Sequence, residues 1–461
     1  MSGEASIRER PGVDYGDGAT PSQAPGPRGR RAAARTAISA LLALAAALLL
    51  APNAQARLKF PPAQMLSPAG AFAANPQVAI DPQDRATVVW ETGGLIQSVR
   101  LGADGSVGTV QDLAADGASP QVAVDPQGRA TVVWQSFSDT RVQALRLDAD
   151  GSPGLLHTLS EAGARDPQVA VDSQGRAAVV WRRADPTVDG ADSRIESVRL
   201  DADGSPGVVH TLSGASARSP QVAADPQGRA TAVWRLTKGR RRIQSVRLAA
   251  DGTPGAVRTL SRTKAFDPQV AVDSRGRSTV VWANGRPGKI QSRRLGADGT
   301  AGATKTVSKA RAFDPQVAVD LKRRATMVWS RLMRTRSGGA FSRVQTVRLG
   351  AGGAPGAVHT LSKGSRTIAG AVNGLRPQVA VDSRGRATVV WELDCASCIS
   401  VVDIQARPLG ADGIPRAVHK LTKRPDASDP QVAVDSKGRP TVVWWREEEG
   451  GVLATRGQNS R

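Results

Sequence analysis

The sequence is short of the residues that most often do chemistry. Its 461 residues contain one tyrosine, two cysteines and four histidines, and aromatic residues make up only 3% of the chain. Two cysteines cannot complete a four-ligand zinc site, so no structural zinc is expected. The four histidines (His157, His210, His359 and His419) all fall at one point of a repeated unit, which argues against a histidine relay or a histidine-rich metal centre. No metal and no cofactor is predicted. Long apolar runs are also scarce. The one continuous run, Ala37–Ala51, has about fifteen residues, short of the roughly 20 that a spanning helix needs. Acidic residues are in deficit, 41 Asp+Glu against 62 Lys+Arg, for a formal charge of +21.

What the chain has in abundance is repetition. A stretch reading PQVAVDPQGRATVVW at 120–134 returns as PQVAVDSRGRATVVW at 377–391, with further copies starting at Pro76, Pro167, Pro220, Pro268, Pro315 and Pro430. The starts are spaced by 44, 47, 53, 48, 47, 62 and 53 residues. Within a unit the pattern predicts four short strands. Gln121–Val124 leads into Asp125-Pro126-Gln127-Gly128, where proline presets one turn position and glycine accepts a positive φ at another. Ala130–Trp134 is apolar on both faces, as a strand covered on both sides would be. Val142–Leu147 ends at Ala149-Asp150-Gly151, a hairpin signal, and Leu155–Ser160 returns toward the next Pro-Gln. Four antiparallel strands at this period are the unit of a β-propeller, and no helical periodicity competes with it. The expected fold is all-β: one propeller of eight four-stranded blades over residues 57–461.

Both ends of the chain carry further signals. Residues 1–56 read as a disordered pre-region and an export signal: four arginines (Arg28, Arg30, Arg31, Arg35), the apolar run, then Ala54-Gln55-Ala56 as a cleavage site. Secretion, or a periplasmic or cell-surface location, follows as an expectation. Ala63-Gln64-Met65-Leu66-Ser67 looks like the fourth strand Val209-His210-Thr211-Leu212-Ser213, while the eighth unit stops before a fourth strand of its own. Pairing the two would close the last blade and remove two open sheet edges.

Residues that recur once per unit are assigned to the scaffold. Trp90, Trp134, Trp181, Trp234, Trp282, Trp329, Trp391 and Trp444 close every second strand and are expected to pack blade on blade. The competing reading is a ring of sugar-stacking pockets. The Gln after each Pro and the Arg of each first turn are expected to hydrogen-bond between blades. Asp-Ala-Asp-Gly at 148–151 and 201–204 is better explained as turn chemistry than as a calcium loop. Cys395 and Cys398 are expected to form a small disulfide stapling the long loop of unit seven.

A binding site is expected among the connections between strands two and three and between strand four and the next blade, where length and composition vary. That face is most basic across units four to six, through Arg235, Lys238, Arg240, Arg241, Arg242, Arg286, Lys289, Arg331, Arg334 and Arg336. About +19 remains beyond residue 56, because six arginines and four acids precede it. Anionic partners follow from that charge: wall polymers, acidic glycans, lipid headgroups or nucleic acid. By repeat pattern, residues 63–461 resemble the tandem-repeat β-propellers of secreted bacterial proteins. The resemblance implies the fold and carries no catalytic motif. The favoured expectation is a monomeric, non-enzymatic propeller binding an anionic or saccharide polymer, or a protein. The runner-up is a polysaccharide- or ester-processing enzyme with acids and bases in the long loops of units three, six and seven. A tyrosine nucleophile of the sialidase kind is unavailable, since Tyr15 precedes the cleavage site.

Overall fold

The computed structural model describes residues 57–68, 70–184, 192–262, 264–334, 340–363, 366–367, 370–395, 402–422, 426–448 and 450–460. These residues form an all-β ring of eight blades. Blades one to seven occupy residues 73–114, 118–158, 164–211, 217–259, 265–306, 312–360 and 370–420. Blade eight takes 427–456 together with Gln64–Met65. In every blade the strands pair antiparallel in chain order, and the first strands of neighbouring blades meet all the way round, blade eight with blade one included.

The second strands are buried on both faces, as Ala86–Thr92 and Ala130–Gln135 illustrate. The first strands start earlier than the Pro-Gln pattern implies. In blade two the strand runs Ala118–Val124, with its register broken between Ala118 and Gln121. The cause is a bulge at the residue before proline, which takes a left-handed backbone in every blade: Asn75, Ser119, Asp166, Ser219, Asp267, Asp314, Arg376 and Asp429 all have φ between 46° and 55°. Asn and Asp tolerate that region best among residues with a side chain, and they hold five of the eight positions. Fourth strands are shorter than expected in blades three, four and seven, reduced to His210–Thr211, Arg258–Thr259 and His419–Lys420 with one isolated bridge each at Pro206, Pro254 and Pro415.

The ring closes through the N-terminal strand. Gln64 and Met65 pair with Ala454 and Leu453. Leu66 N donates to Val452 O and Val452 N donates to Ser67 Oγ, as Leu159 N donates to Val142 O and Val142 N to Ser160 Oγ in blade two. Residues 64–67 therefore make the hydrogen bonds of a fourth strand, from the other end of the chain. A second pairing, Arg57–Lys59 with Gln458–Ser460, has no counterpart in the sequence reading.

Each junction between blades carries one apolar cluster built around a tryptophan. Trp181 of blade three packs with Val133, Val142 and Leu159 of blade two, and Trp90 of blade one packs with Val443 and Val452 of blade eight. The eight repeat tryptophans are 0% exposed, so none of their indole faces is open to a sugar ring. In five blades the indole N–H donates to a third-strand glutamine, for example Trp134 Nε1 to Gln143 Oε1 at 2.9 Å. Losing one such side chain from a closed interface would cost about 3–5 kcal/mol.

Candidate functional site

Up-and-down pairing sends the one–two and three–four turns to one face of the ring and the remaining connections to the other. The first, regular face is a belt of aspartates and arginines. Asp125 opens the blade-two turn, and its Oδ1 accepts from Gln127 N and Arg129 N. Its Oδ2 takes Arg129 Nε at 2.8 Å and Arg146 Nη2, from the third strand, at 2.6 Å. Arg146 also reaches forward, Nη1 donating to Gly175 O of blade three at 2.6 Å. The arrangement returns with Asp172, Arg176 and Arg199, with Asp320, Arg324 and Arg348, and with Asp435, Arg439 and Arg456. Arg456 completes the ring by donating to Asp84 O of blade one. The first-turn arginines add inter-blade bonds, as Arg386 Nη2 does to Lys437 O at 2.7 Å.

The histidines belong to this face too. Hydrogen bonds from Ser205 hold the exposed carboxyl of Asp203 below its usual range, and His157 of the preceding blade adds to the effect. Asp251 stands in the same relation to Thr253 and His210. Among the described residues no group of three or more His, Cys, Asp or Glu could hold a metal ion.

The opposite, variable face differs from expectation in construction. The long two–three connections are largely continuations of their strands into hairpins. In blade six Arg331 pairs with Arg343 and Arg334 with Ala340, extending the strand to Arg334. The register persists because apolar residues such as Leu332, Met333 and Phe341 keep the strands paired beyond the blade.

The structure gathers some of the predicted basic residues and disperses others. Arg235, half-buried at the end of blade four's second strand, stacks its guanidinium 5.3 Å from the Phe266 ring centroid, and Arg241 lies 5.7 Å from the same centroid. Burial, opposed by Asp267 and reinforced by Arg286, Arg241 and Arg218, pulls the pKa of Arg235 down, although a guanidinium stays protonated. Arg286 lies 3.9 Å from Asp267. Lys238 is instead paired with Asp192 of blade three at 2.6 Å. Arg240 and Lys289 are exposed, Arg242 is half-buried, and Arg331 donates to Ala310 O. Arg334 sits exposed at its strand end, one blade away. Arg336 and Cys398 lie outside the described residues, and with Cys398 the proposed disulfide to Cys395.

Several residues of this face escaped the sequence reading. Glu392 is buried and accepts Asp429 N at 2.8 Å and Arg376 Nη1 at 3.2 Å, and Arg376 Nη1 also pairs with Asp429 Oδ1 at 2.7 Å. Trp445 Nε1 donates to the other oxygen of Asp429. Glu91 plays the same strut role between blades one and two, accepting Ser119 N at 2.6 Å. Burial, with Asp267 adding, pushes the carboxyl of Asp314 up, against the pull of Arg286 and Arg376. One signal could have found Asp314, Arg376 and Asp429: the position before Pro-Gln varies from unit to unit inside an otherwise constant motif.

Among the described residues no helix is long and apolar enough to cross a membrane. No protein-family model and no curated protein matches the chain. Solved structures similar to it include a puromycin hydrolase at 17% identity and TM-score 0.48, covering 83% of this chain and 61% of that one. Another is the β-propeller domain of the trilobed protease from Pyrococcus furiosus, at 9% identity and TM-score 0.46, covering 77% and 98%. A third is a polysaccharide lyase described as an ulvan lyase, at 9% identity and TM-score 0.48, covering 74% and 94%. The chain spans about 61% of the length of the hydrolase. At these identities and TM-scores nothing about activity passes from those proteins to this one.

Proposed function

We propose that this protein is a non-catalytic β-propeller that binds an anionic polymer on its variable face, around blades four and five. The observation that carries the reading is the stack of Arg235 and Arg241 on Phe266, with Arg286 nearby and Asp267 opposing them. A planar guanidinium held against a ring keeps its forked donors fixed for sulfate or carboxylate groups, and partial burial strengthens their pull. The excess of about +19 beyond residue 56 draws such a ligand in from a distance. With residues 1–56 as an export signal, the partner is a cell-envelope or extracellular acidic polysaccharide.

The test is retention of the protein on immobilised heparin and alginate across a salt series, beside an Arg235→Gln/Arg241→Gln variant. The parent should bind at low salt and elute as salt rises, because screening weakens contacts between exposed charges, and the double variant should elute earlier. A parent that flows through at low salt, or a variant that co-elutes with it, refutes the assignment. A second reading, an enzyme acting on a bound polysaccharide or ester, draws support from the raised carboxyl of Asp314 beside Asp267, since such an acid stays protonated further toward neutral pH. Release of new reducing ends or free acid from substrate, lost in Asp314→Asn, would favour it.

A further inference from the structure

The regular face departs from its rule in two places: blade seven has Pro408 for the third-strand arginine, and at the junction of blades five and six the arginine is present but leaves its aspartate. In the other blades that carry it, the third-strand arginine meets its turn aspartate: at 2.6 Å for Arg146 and Arg199, 2.9 Å for Arg247, 2.8 Å for Arg348 and Arg456, and 3.6 Å for Arg100. Arg294 of blade five forms no such pair among the described residues. It donates to the carbonyls of Arg323, Gly350 and Ala351 in blade six. Asp273 is left to Arg277, through Nε at 3.0 Å and Nη2 at 2.7 Å.

Two departures from the repeat converge here. The turn glycine that covers the preceding blade's aspartate is Gly128, Gly175, Gly228, Gly276, Gly385 and Gly438, but blade six has Arg323 (φ 66°) in that place. Blade one has Asp84 there, whose carboxylate accepts Ser436 N at 3.0 Å and lies 3.4 Å from Lys437, and the pair Arg456–Asp435 survives beneath it. An added acid leaves the triad intact, whereas an added base coincides with its opening. The second departure is Gly352. The three–four turn of the next blade normally brings an aspartate into each cleft, Asp150 into that of blades one and two and Asp298 into that of blades four and five. Blade six reads Gly350-Ala351-Gly352-Gly353, so no carboxylate stands at this turn, whose Gly350 and Ala351 carbonyls take Arg294. Lys305, at the histidine position of blade five, donates to Gly353 O.

A cavity of about 390 Å³ at this junction is lined by Asp273, Arg277, Thr279, Arg294, Thr300 and Arg323. We propose that this cleft binds a small phosphorylated or sulfated ligand of monosaccharide size, its tetrahedral oxyanion held by Arg277, Arg294 and Arg323 and its hydroxyls by Thr279 and Thr300. The site lies on the face opposite the guanidinium–Phe266 stack and does not depend on it. Forked arginines suit tetrahedral oxyanions, and the half-burial of Arg294 limits competing water.

The experiment is isothermal titration of the full chain with glucose 6-phosphate, with glucose as the uncharged control and two variants that restore the repeat. Gly352→Asp returns the missing carboxylate at a position where an added Cβ meets nothing within 4 Å, and Arg323→Gly returns the glycine and relaxes a left-handed residue, so both should fold. Glucose 6-phosphate should bind the parent and glucose should not. Each variant should weaken binding about tenfold or more, the scale of one charge-assisted hydrogen bond. Arg235→Gln/Arg241→Gln should bind like the parent. An absence of heat with glucose 6-phosphate at millimolar concentration, equal binding of glucose, or undiminished affinity in both restoring variants would overturn the proposal. Loss of binding in the Arg235→Gln/Arg241→Gln protein alone would move the anion to the variable face and overturn it equally.

Discussion

The two faces of the ring use the same residue types, aspartate and arginine, to different ends. On the regular face the Asp125 side chain is fully buried, with Arg129 on one side and Arg146, 6% exposed, on the other, and the geometry recurs around the ring. On the variable face four aspartates share one repeat position, just before Pro-Gln, but their partners differ: Asp166 has Arg182 at 3.1 Å, Asp429 has Arg376 and Trp445, and Asp267 and Asp314 have each other's charge to contend with. Where acid and base both keep the period, charge becomes scaffold. Where only one of them keeps it, the partners change from blade to blade. A count of Lys, Arg, Asp and Glu cannot distinguish the two cases.

The sharpest way to break this comparison is to remove one carboxylate from the regular belt. Asp125→Ala leaves two guanidiniums beside each other, one of them almost wholly buried, and should destabilise the fold by about 3–5 kcal/mol in urea unfolding. The same change in blade seven sharpens the point, because Pro408 stands where the other blades have the third-strand arginine. Among the described residues the Asp382 carboxylate pairs only with Arg386, whose side chain is 36% exposed and can turn to water. Asp382→Ala should therefore cost less, about 1–2 kcal/mol for the lost turn and side-chain bonds. Equal losses in the two variants would mean that the third-strand arginine adds nothing, and that the belt is a set of independent turns.

Most of the scaffold was legible in the sequence because it is periodic. Eight Pro-Gln starts, eight tryptophans and the Leu66-Ser67 echo of a fourth strand specify the blades, their junctions and the closure. The belt was half legible: the turn arginines were expected to bridge blades, but Arg100, Arg146 and Arg199 lie in strands whose in–out alternation says nothing about a partner one blade away. The variable face was least legible. Arg235 and Phe266 lie 31 positions apart in different units, and only blade-on-blade packing brings them to 5.3 Å. The expected loops became hairpins for a related reason, since cross-strand pairs such as Met333 with Phe341 leave no mark in a unit-by-unit alignment.

The smallest expected effect has the opposite sign. Asp314 is an acid whose folded-state pKa is raised by burial and by Asp267. Above that raised value its charge is a penalty on the folded state. As pH falls through it the proton is taken up and the penalty fades, and below the ordinary aspartate range both states are protonated and nothing remains. Asp314→Asn removes the charge and keeps a side chain that tolerates the left-handed backbone at this position. The variant should be more stable than the parent at pH 7, by less than about 1 kcal/mol, with the advantage shrinking toward zero as the pH is lowered, in thermal unfolding at a series of pH values. A variant that is instead weaker at pH 7 would mean that Arg286 and Arg376 hold Asp314 as a working ion pair. The variable face would then share the logic of the belt, and its charges would be scaffold on both sides of the ring.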